Sequence, residues 1–210
     1  MSATLLLARH GQTIWHAENR YAGVSDVPLT DEGREQADRL GRWAVRNEVD
    51  AIVTSTLSRA IETAAPAVAA LGLVPFRDHE LRECDFGVVE GRTLAEFGAA
   101  HPAAAAAFRA DPVAHPFPSA EDPRSAAARG AAALRRTAAR HEGERVLVVA
   151  HNSLLRLVLC ELLSIPLAEY RRVFPGLVNA AVSAVRLTGD QCALLSLNVP
   201  CELSLNVPCD

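Results

Sequence analysis

Two kinds of pattern alternate along the chain: short, nearly continuous apolar runs, and longer stretches whose apolar residues recur at helical spacing. Thr4-Leu5-Leu6-Leu7-Ala8, Asp50-Ala51-Ile52-Val53-Thr54 and Arg145-Val146-Leu147-Val148-Val149-Ala150 are runs of the first kind. Continuous hydrophobicity over so few residues predicts strands covered on both faces, as in a parallel sheet. Between them, Thr30 precedes Asp31 and Glu32, the arrangement of an N-cap with acidic residues in the first helical turn. Ala37, Leu40, Gly41 and Ala44 then fall on one face of that helix. A second helix is predicted from Ser58 to Leu71, stopped by Gly72, and a third from Ser153 to Leu163, stopped before Pro166. Ala181 to Leu187 and Ala193 to Leu197 read as later strands at or near a sheet edge. The alternation predicts an α/β fold, three-layered and doubly wound, with a mostly parallel sheet and helices on both faces.

Two regions break the rhythm. From Ala95 to Arg140 the chain is Ala-rich, yet cut by His101-Pro102, Asp111-Pro112, His115-Pro116, Phe117-Pro118 and Asp122-Pro123. Alanine favours helix and proline interrupts it, so residues 95–140 are expected to form a helical, proline-rich insertion or lid over the carboxyl ends of the strands. At the other end, Leu195 to Glu202 is followed by a near-copy, Leu203 to Asp210. One repeat of this size is too short for a solenoid, and residues 195–210 are expected to end in a loose or edge-pairing tail.

Composition narrows the picture. The chain has 210 residues, half of them apolar, which suits a single domain over 1–210 with a full core. A formal charge of −4 and the lack of a basic block argue against a nucleic-acid partner. No apolar run approaches the roughly 18 residues of a membrane span, and the N-terminus does not read as a secretory signal. The five cysteines form no CxxC spacing, which predicts reduced thiols and a cytoplasmic protein. All 21 basic residues are Arg, so an Arg at a strand end is informative only in company.

That company exists. The first strand runs into Arg9-His10-Gly11, the second into Thr54-Ser55 with Ser58-Arg59 close behind, and the late one into His151-Asn152-Ser153 at a helix start. Ligands of open α/β sheets sit at the carboxyl ends of strands, and a helix N-terminus favours an anion. Three such ends on one rim bring two His and two Arg around one oxyanion: a nucleophilic imidazole among phosphate-binding groups. The acid that phosphoryl transfer also needs is offered by Leu81-Arg82-Glu83-Cys84-Asp85-Phe86-Gly87-Val88-Val89-Glu90-Gly91, where a partly desolvated carboxyl would have a raised pKa.

Taken in order, these motifs resemble the histidine phosphatase superfamily, in its phosphoglycerate mutase-like branch. The resemblance rests on Arg9-His10-Gly11-Gln12-Thr13 with Trp15, Ser25 to Thr30 with Gly33 and Gln36-Ala37, Ser55 to Ala60 with Glu62-Thr63, Leu81-Arg82-Glu83 with Phe86-Gly87 and Glu90-Gly91, and Val146 to His151 with Leu155-Arg156. It implies that His10 is the nucleophile and becomes a phosphohistidine. Arg9, Arg59 and His151 would hold the phosphoryl oxygens, with His16, Gly23 and Asn152 beside them. Glu83 would act as acid and then base, with Glu90 and Asp85 as rivals. Arg20, Tyr21 and Ser25 would lie near the substrate, and no metal or other cofactor is implied. His16 stands where the family usually has Asn, and Asn152 where it usually has Gly; neither change removes a catalytic group.

The other histidines, His79, His101, His115 and His141, read as surface or loop residues, and Trp15, Trp43 and Phe86 as packing. The expected function is metal-independent hydrolysis of a small phosphorylated metabolite. The alternatives are a phosphoglycerate mutase-type isomerase, whose family members tend to be longer, and a silent phosphate-ligand-binding protein. A homodimer through an edge strand is a family-level expectation.

Overall fold

The computed structural model describes residues 2–202. Six strands form one sheet: β1 (Ser2–Arg9), β2 (Ala51–Ser55), β3 (Phe76–Asp78), β4 (Arg145–Ala150), β5 (Val182–Thr188) and β6 (Gln191–Val199), in the order β3-β2-β4-β1-β5-β6. The first four run parallel, with Leu5 opposite Val146 and Ala51 opposite the same residue on its other side. β5 and β6 continue the sheet antiparallel beyond β1, so β5 is an inner strand and β6 the edge. The apolar runs of β1 and β4 split by parity, as the two-residue period of a strand requires. Leu5, Leu7, Val146 and Val148 face one cluster, and Leu6, Ala8, Leu147 and Val149 the other.

Helices α1 (Asp31–Arg46) and α2 (Ser58–Leu71) cover the second face. Thr30 caps α1, its hydroxyl accepting from Gly33 N–H at 3.0 Å, an arrangement worth about 1 kcal/mol. Gly72, at φ 66°, ends α2 in the left-handed conformation that glycine adopts without strain.

The segment 95–140 does not behave as one unit. α3 (Leu94–Ala100) and α4 (Pro102–Ala110) build a small aromatic cluster of Phe97, Phe108 and Phe117 that backs Tyr21 and Phe86. α5 (Pro123–Arg140) instead buries Ala126, Ala127, Ala131 and Leu134 in the main core, packed with α6 (Asn152–Leu162) on the first sheet face. The expectation of an insertion therefore holds for 94–120 only. Asp122, whose side chain caps α5, and Pro123 in its first turn mark the boundary.

A short helix, α7 (Tyr170–Val173), leads into the loop before β5. The first octapeptide copy supplies the end of β6 and a buried Cys201, whose thiol donates to Ala180 O; the second copy, 203–210, lies outside the described residues. Among the described residues no helix is long and apolar enough to cross a membrane.

Candidate active site

The carboxyl ends of β1, β2 and β4 share one rim. His10 leaves β1 with its N–H on Ala150 O of β4 at 3.0 Å, and its side chain is 5 % exposed. Its Nδ1 lies 2.7 Å from Gly11 O. A carbonyl can only accept, so Nδ1 carries the proton and the lone pair is on Nε2. Burial, then the charges of Arg59 and Arg9, pushes the His10 pKa well below the usual imidazole range. At neutral pH this is an uncharged imidazole with a free Nε2, the form a nucleophile needs.

The turn after His10 is held closely. Gly11 N–H donates to Thr63 Oγ1 at 2.9 Å, and that hydroxyl donates to Arg59 O at 2.6 Å. A Cβ on Gly11 would stand 2.5 Å from Gly33 O, so the start of α1 and the His10 turn touch backbone to backbone. This contact explains why glycine occurs at both positions.

His151 follows β4 and is fully buried, with its ring centroid 5.2 Å from that of His10. Its Nε2 is 2.8 Å from Ser55 Oγ at the end of β2, and its Nδ1 has no partner. Burial and the neighbouring Arg59 push its pKa well below the usual value too. Arg59, in the first turn of α2, is fully buried, does not line the cavity, and is near enough for its charge to act on both rings. It donates to Ser25 O at 2.7 Å, Ala22 O at 3.1 Å and Gly23 O at 2.8 Å. Its charge thus acts from outside the cavity wall.

Glu83 reaches the same cavity from the 81–91 segment. Its carboxylate accepts from Cys84 N–H at 3.0 Å, Ser153 N–H at 2.9 Å and Leu154 N–H at 2.8 Å, taking the place an anion would occupy at the N-terminus of α6. The desolvation expected of that carboxyl is therefore met by three amide donors. Arg129 of α5 braces the segment by donating to Glu80 O, Arg82 O and Glu83 O, while paired with Glu121 at 2.6 Å.

The rivals are engaged elsewhere. Glu90 accepts from Gly23 N–H at 2.9 Å, Ser25 Oγ at 2.6 Å and Phe86 N–H at 3.2 Å, which clamps the 22–25 loop. Asp85 accepts from Gly87 N–H. Gly23 itself does not line the cavity: its N–H is taken by Glu90 and its carbonyl by Arg59.

The remaining expected residues line a cavity of about 330 Å³ with His10 and Glu83. Arg9 donates from Nη1 to Leu177 O at 2.7 Å, and its Nη2 lies 2.5 Å from His16 Nε2. Arg9 Nη2 and, at 3.3 Å, Asn179 Nδ2 can only donate, so His16 Nε2 accepts from them and the proton of the neutral ring sits on Nδ1, 2.9 Å from Thr13 Oγ1. Burial and Arg9 lower the His16 pKa to about 4. His16 thus holds the Arg9 guanidinium in place, and Arg9 is the group at this end of the cavity that can donate to an anionic oxygen. Asn152 lines the cavity, with Oδ1 accepting from Leu177 N–H at 3.1 Å and its amide nitrogen left over. Arg20 is at the rim but paired with Glu18 and Glu96. Among the described residues no set of His, Cys, Asp and Glu side chains is grouped to hold a metal ion.

His79, His101 and His115 are exposed and His141 pairs with Glu144, all away from the cavity. Sequence reasoning missed Arg129, Asn179, Tyr170 and Arg171, and gave Arg156 no role. Asn179 donates to His10 O at 2.8 Å, while Arg156, Tyr170 and Arg171 line the cavity. Asn179 sits in the loop before β5, and Tyr170 and Arg171 in the four-residue α7, too short to carry a periodic signal.

Known proteins resemble the chain over most of its length. Phosphoserine phosphatase 1 of Hydrogenobacter thermophilus is 28 % identical over 199 residues, 95 % of this chain and 93 % of that protein. Phosphoglycerate mutase-like protein 4 of Arabidopsis thaliana is 34 % identical over 157 residues, covering 73 % of this chain and 68 % of its own. Among solved structures, Bacillus stearothermophilus YhfR superposes with a TM-score of 0.87 at 32 % identity, over 94 % of this chain and 97 % of that one. The sequence model of the histidine phosphatase superfamily, branch 1, matches residues 5–200, and the chain belongs to that superfamily.

Proposed function

We propose that the protein is a phosphomonoesterase that hydrolyses a small phosphorylated metabolite through a phosphohistidine on His10, without a metal. The observation that carries this reading is the His10 ring: proton on Nδ1 bound to Gly11 O, Nε2 free, and the pKa held low by burial. The His10 Nε2 lone pair forms a bond to phosphorus while the bond from phosphorus to the ester oxygen breaks. The departing oxygen takes a proton from the Glu83 carboxylic acid. The resulting carboxylate removes a proton from water as the water oxygen attacks phosphorus. The P–N bond then breaks, and neutral His10 and inorganic phosphate result. Arg9 supplies donors to the phosphoryl oxygens and is held by His16, while Arg59 adds positive charge from outside the cavity wall and the buried His151 packs beside the His10 ring; such fixed electrostatics is the main requirement of phosphoryl transfer.

Phosphatase-named and mutase-named relatives both match, so the acceptor of the phosphoryl group is the point to test. The purified protein is incubated with 3-phosphoglycerate and 2,3-bisphosphoglycerate, and both free phosphate and the 2-isomer are quantified. Free phosphate as the dominant product, lost in His10→Ala, is expected. Isomer without free phosphate would assign a mutase, and neither product with retained phosphate binding would assign a binding protein. Free thiols at Cys84, Cys160, Cys192 and Cys201 fit the reducing cytoplasm as its location.

A further inference from the structure

The cavity carries more positive charge than one phosphoryl group uses. Arg9 and Arg59 lie at the His10 end, and Glu83 is the one carboxylate among the residues lining the cavity. Arg156 and Arg171 line it as well, and neither is ion-paired among the described residues.

Arg156 is only 6 % exposed, a burial that a cation tolerates poorly without a counter-charge. It comes from α6, and its Nε donates to Phe174 O in the loop after α7. Its guanidinium also stacks over the Tyr170 ring at 4.8 Å. Both terminal nitrogens lack a protein partner and are not among the sealed, unsatisfied atoms, so they open to the cavity.

Arg171 is held in the same manner. Its Nε lies 3.0 Å from Tyr170 Oη, and its guanidinium sits 4.6 Å over Phe108 and 5.6 Å from the Tyr170 ring. Two guanidinium groups are thus oriented in advance by aromatic faces on the cavity wall, neither with a carboxylate partner among the described residues. Holding like charges together in a partly desolvated wall is costly unless an anion joins them.

We infer that Arg156 and Arg171 form a subsite for a second anionic group of the substrate, a carboxylate or a second phosphate, beside the phosphoryl group held at His10. This rests on the phosphomonoesterase reading of the same cavity and narrows its substrate class to phosphoesters that bear a second anion.

A matched pair of ligands tests it. Glycerol 3-phosphate and 3-phosphoglycerate differ only in a hydroxymethyl against a carboxylate, and glycerol 1,3-bisphosphate supplies the second-phosphate arm. Calorimetric affinities are measured on the full chain in the His10→Ala background, which prevents turnover. One or both dianionic probes should bind on the order of tenfold more tightly than glycerol 3-phosphate, the worth of a charge-assisted pair. The stronger arm identifies the second anion. Arg156→Gln with Arg171→Gln should bring the ratio close to one, while Arg156→Lys with Arg171→Lys should keep part of it, which a packing role alone would not do. If loss of the buried Arg156 unfolds the chain, Arg171→Gln alone should lower the ratio about threefold.

Equal binding of all three probes, or a ratio that survives the Gln variants, would overturn the subsite. Phosphate release by the wild type is measured separately. Release with a ratio of one refutes the subsite and leaves the hydrolase; a preserved ratio without release refutes the hydrolase and leaves the subsite.

Discussion

Replacing Glu83 by Gln separates its two duties, holding the start of α6 and moving a proton. The carboxylate accepts three amide protons, from Cys84, Ser153 and Leu154. A glutamine of the same shape keeps one acceptor oxygen for Cys84 and Leu154, which share Oε1, and turns an NH₂ group onto the Ser153 amide. One buried donor is then unsatisfied, a cost of about 1–3 kcal/mol. The lost negative charge at the helix N-terminus adds up to about 1 kcal/mol. The chain should therefore remain folded but lose about 1–4 kcal/mol of stability in urea unfolding. The catalytic loss depends on the leaving group. With glycerol 3-phosphate, whose alkoxide must be protonated as it departs, kcat should fall by about 10²–10⁴-fold. With 4-nitrophenyl phosphate, whose phenolate departs unprotonated, the burst of nitrophenolate should persist with an initial rate within about tenfold of wild type. Steady-state release would still slow at the water-activation step. An equal loss of the first step for both esters would refute Glu83 as the acid and leave it a structural clamp.

Other outcomes follow from the same geometry. His16→Ala should weaken inhibition by inorganic phosphate by about tenfold by removing the acceptor that holds Arg9 in place, and His16→Asn should recover most of it by retaining a side-chain oxygen that accepts from Arg9. Gly23→Ala places a Cβ 2.2 Å from Glu90 Oε1 and 2.3 Å from Cys84 O. Since one of these atoms is backbone, it should cost about 1–3 kcal/mol in denaturant melts and reduce kcat by displacing the carbonyls that hold Arg59. Burial lowers the folded-state pKa of His10, His16 and His151 below 6.5, that of His16 to about 4, so the unfolded chain binds more protons as the medium is acidified. Stability is then fully present above about pH 6.5 and falls below it, with each fully buried imidazole adding a slope of up to about 1.4 kcal/mol per pH unit. His10→Asn should flatten that slope in melts run between pH 4.5 and 7.

The strands and helices with strong local signals were legible in the sequence. β1 and β4 are buried on both faces over Leu5 to Ala8 and Val146 to Ala150, and are apolar there. α2 ends at Leu71 because Gly72 can take φ 66°. β3 was not legible: it is three residues long, with Phe76 and Arg77 exposed, and exists through pairing with β2. α5 reads as part of the insertion because the alanine-rich composition of residues 95–120 continues through it, although Asp122-Pro123 carries a helix-start signal that separates it from what precedes.

At the site, the strand-end groups His10, Arg9 and His151 could be read from local pattern. Arg129 could not, because its three carbonyl partners lie some 46–49 residues away in sequence. Arg156 was weakly marked: its sequence neighbours Leu154, Leu155, Leu157 and Val158 are apolar, and its partners Tyr170 and Phe174 come later in the chain.

The central claim is that His10 carries the phosphoryl group. Wild-type protein mixed with ³²P-labelled substrate, quenched in alkali within milliseconds and mapped by peptide sequencing, should show label on His10, stable to base and lost in acid. The label should chase to free phosphate on dilution with unlabelled substrate and be absent from His10→Ala. Turnover by His10→Ala, or wild-type turnover with no label on His10 at any quench time, would contradict the account.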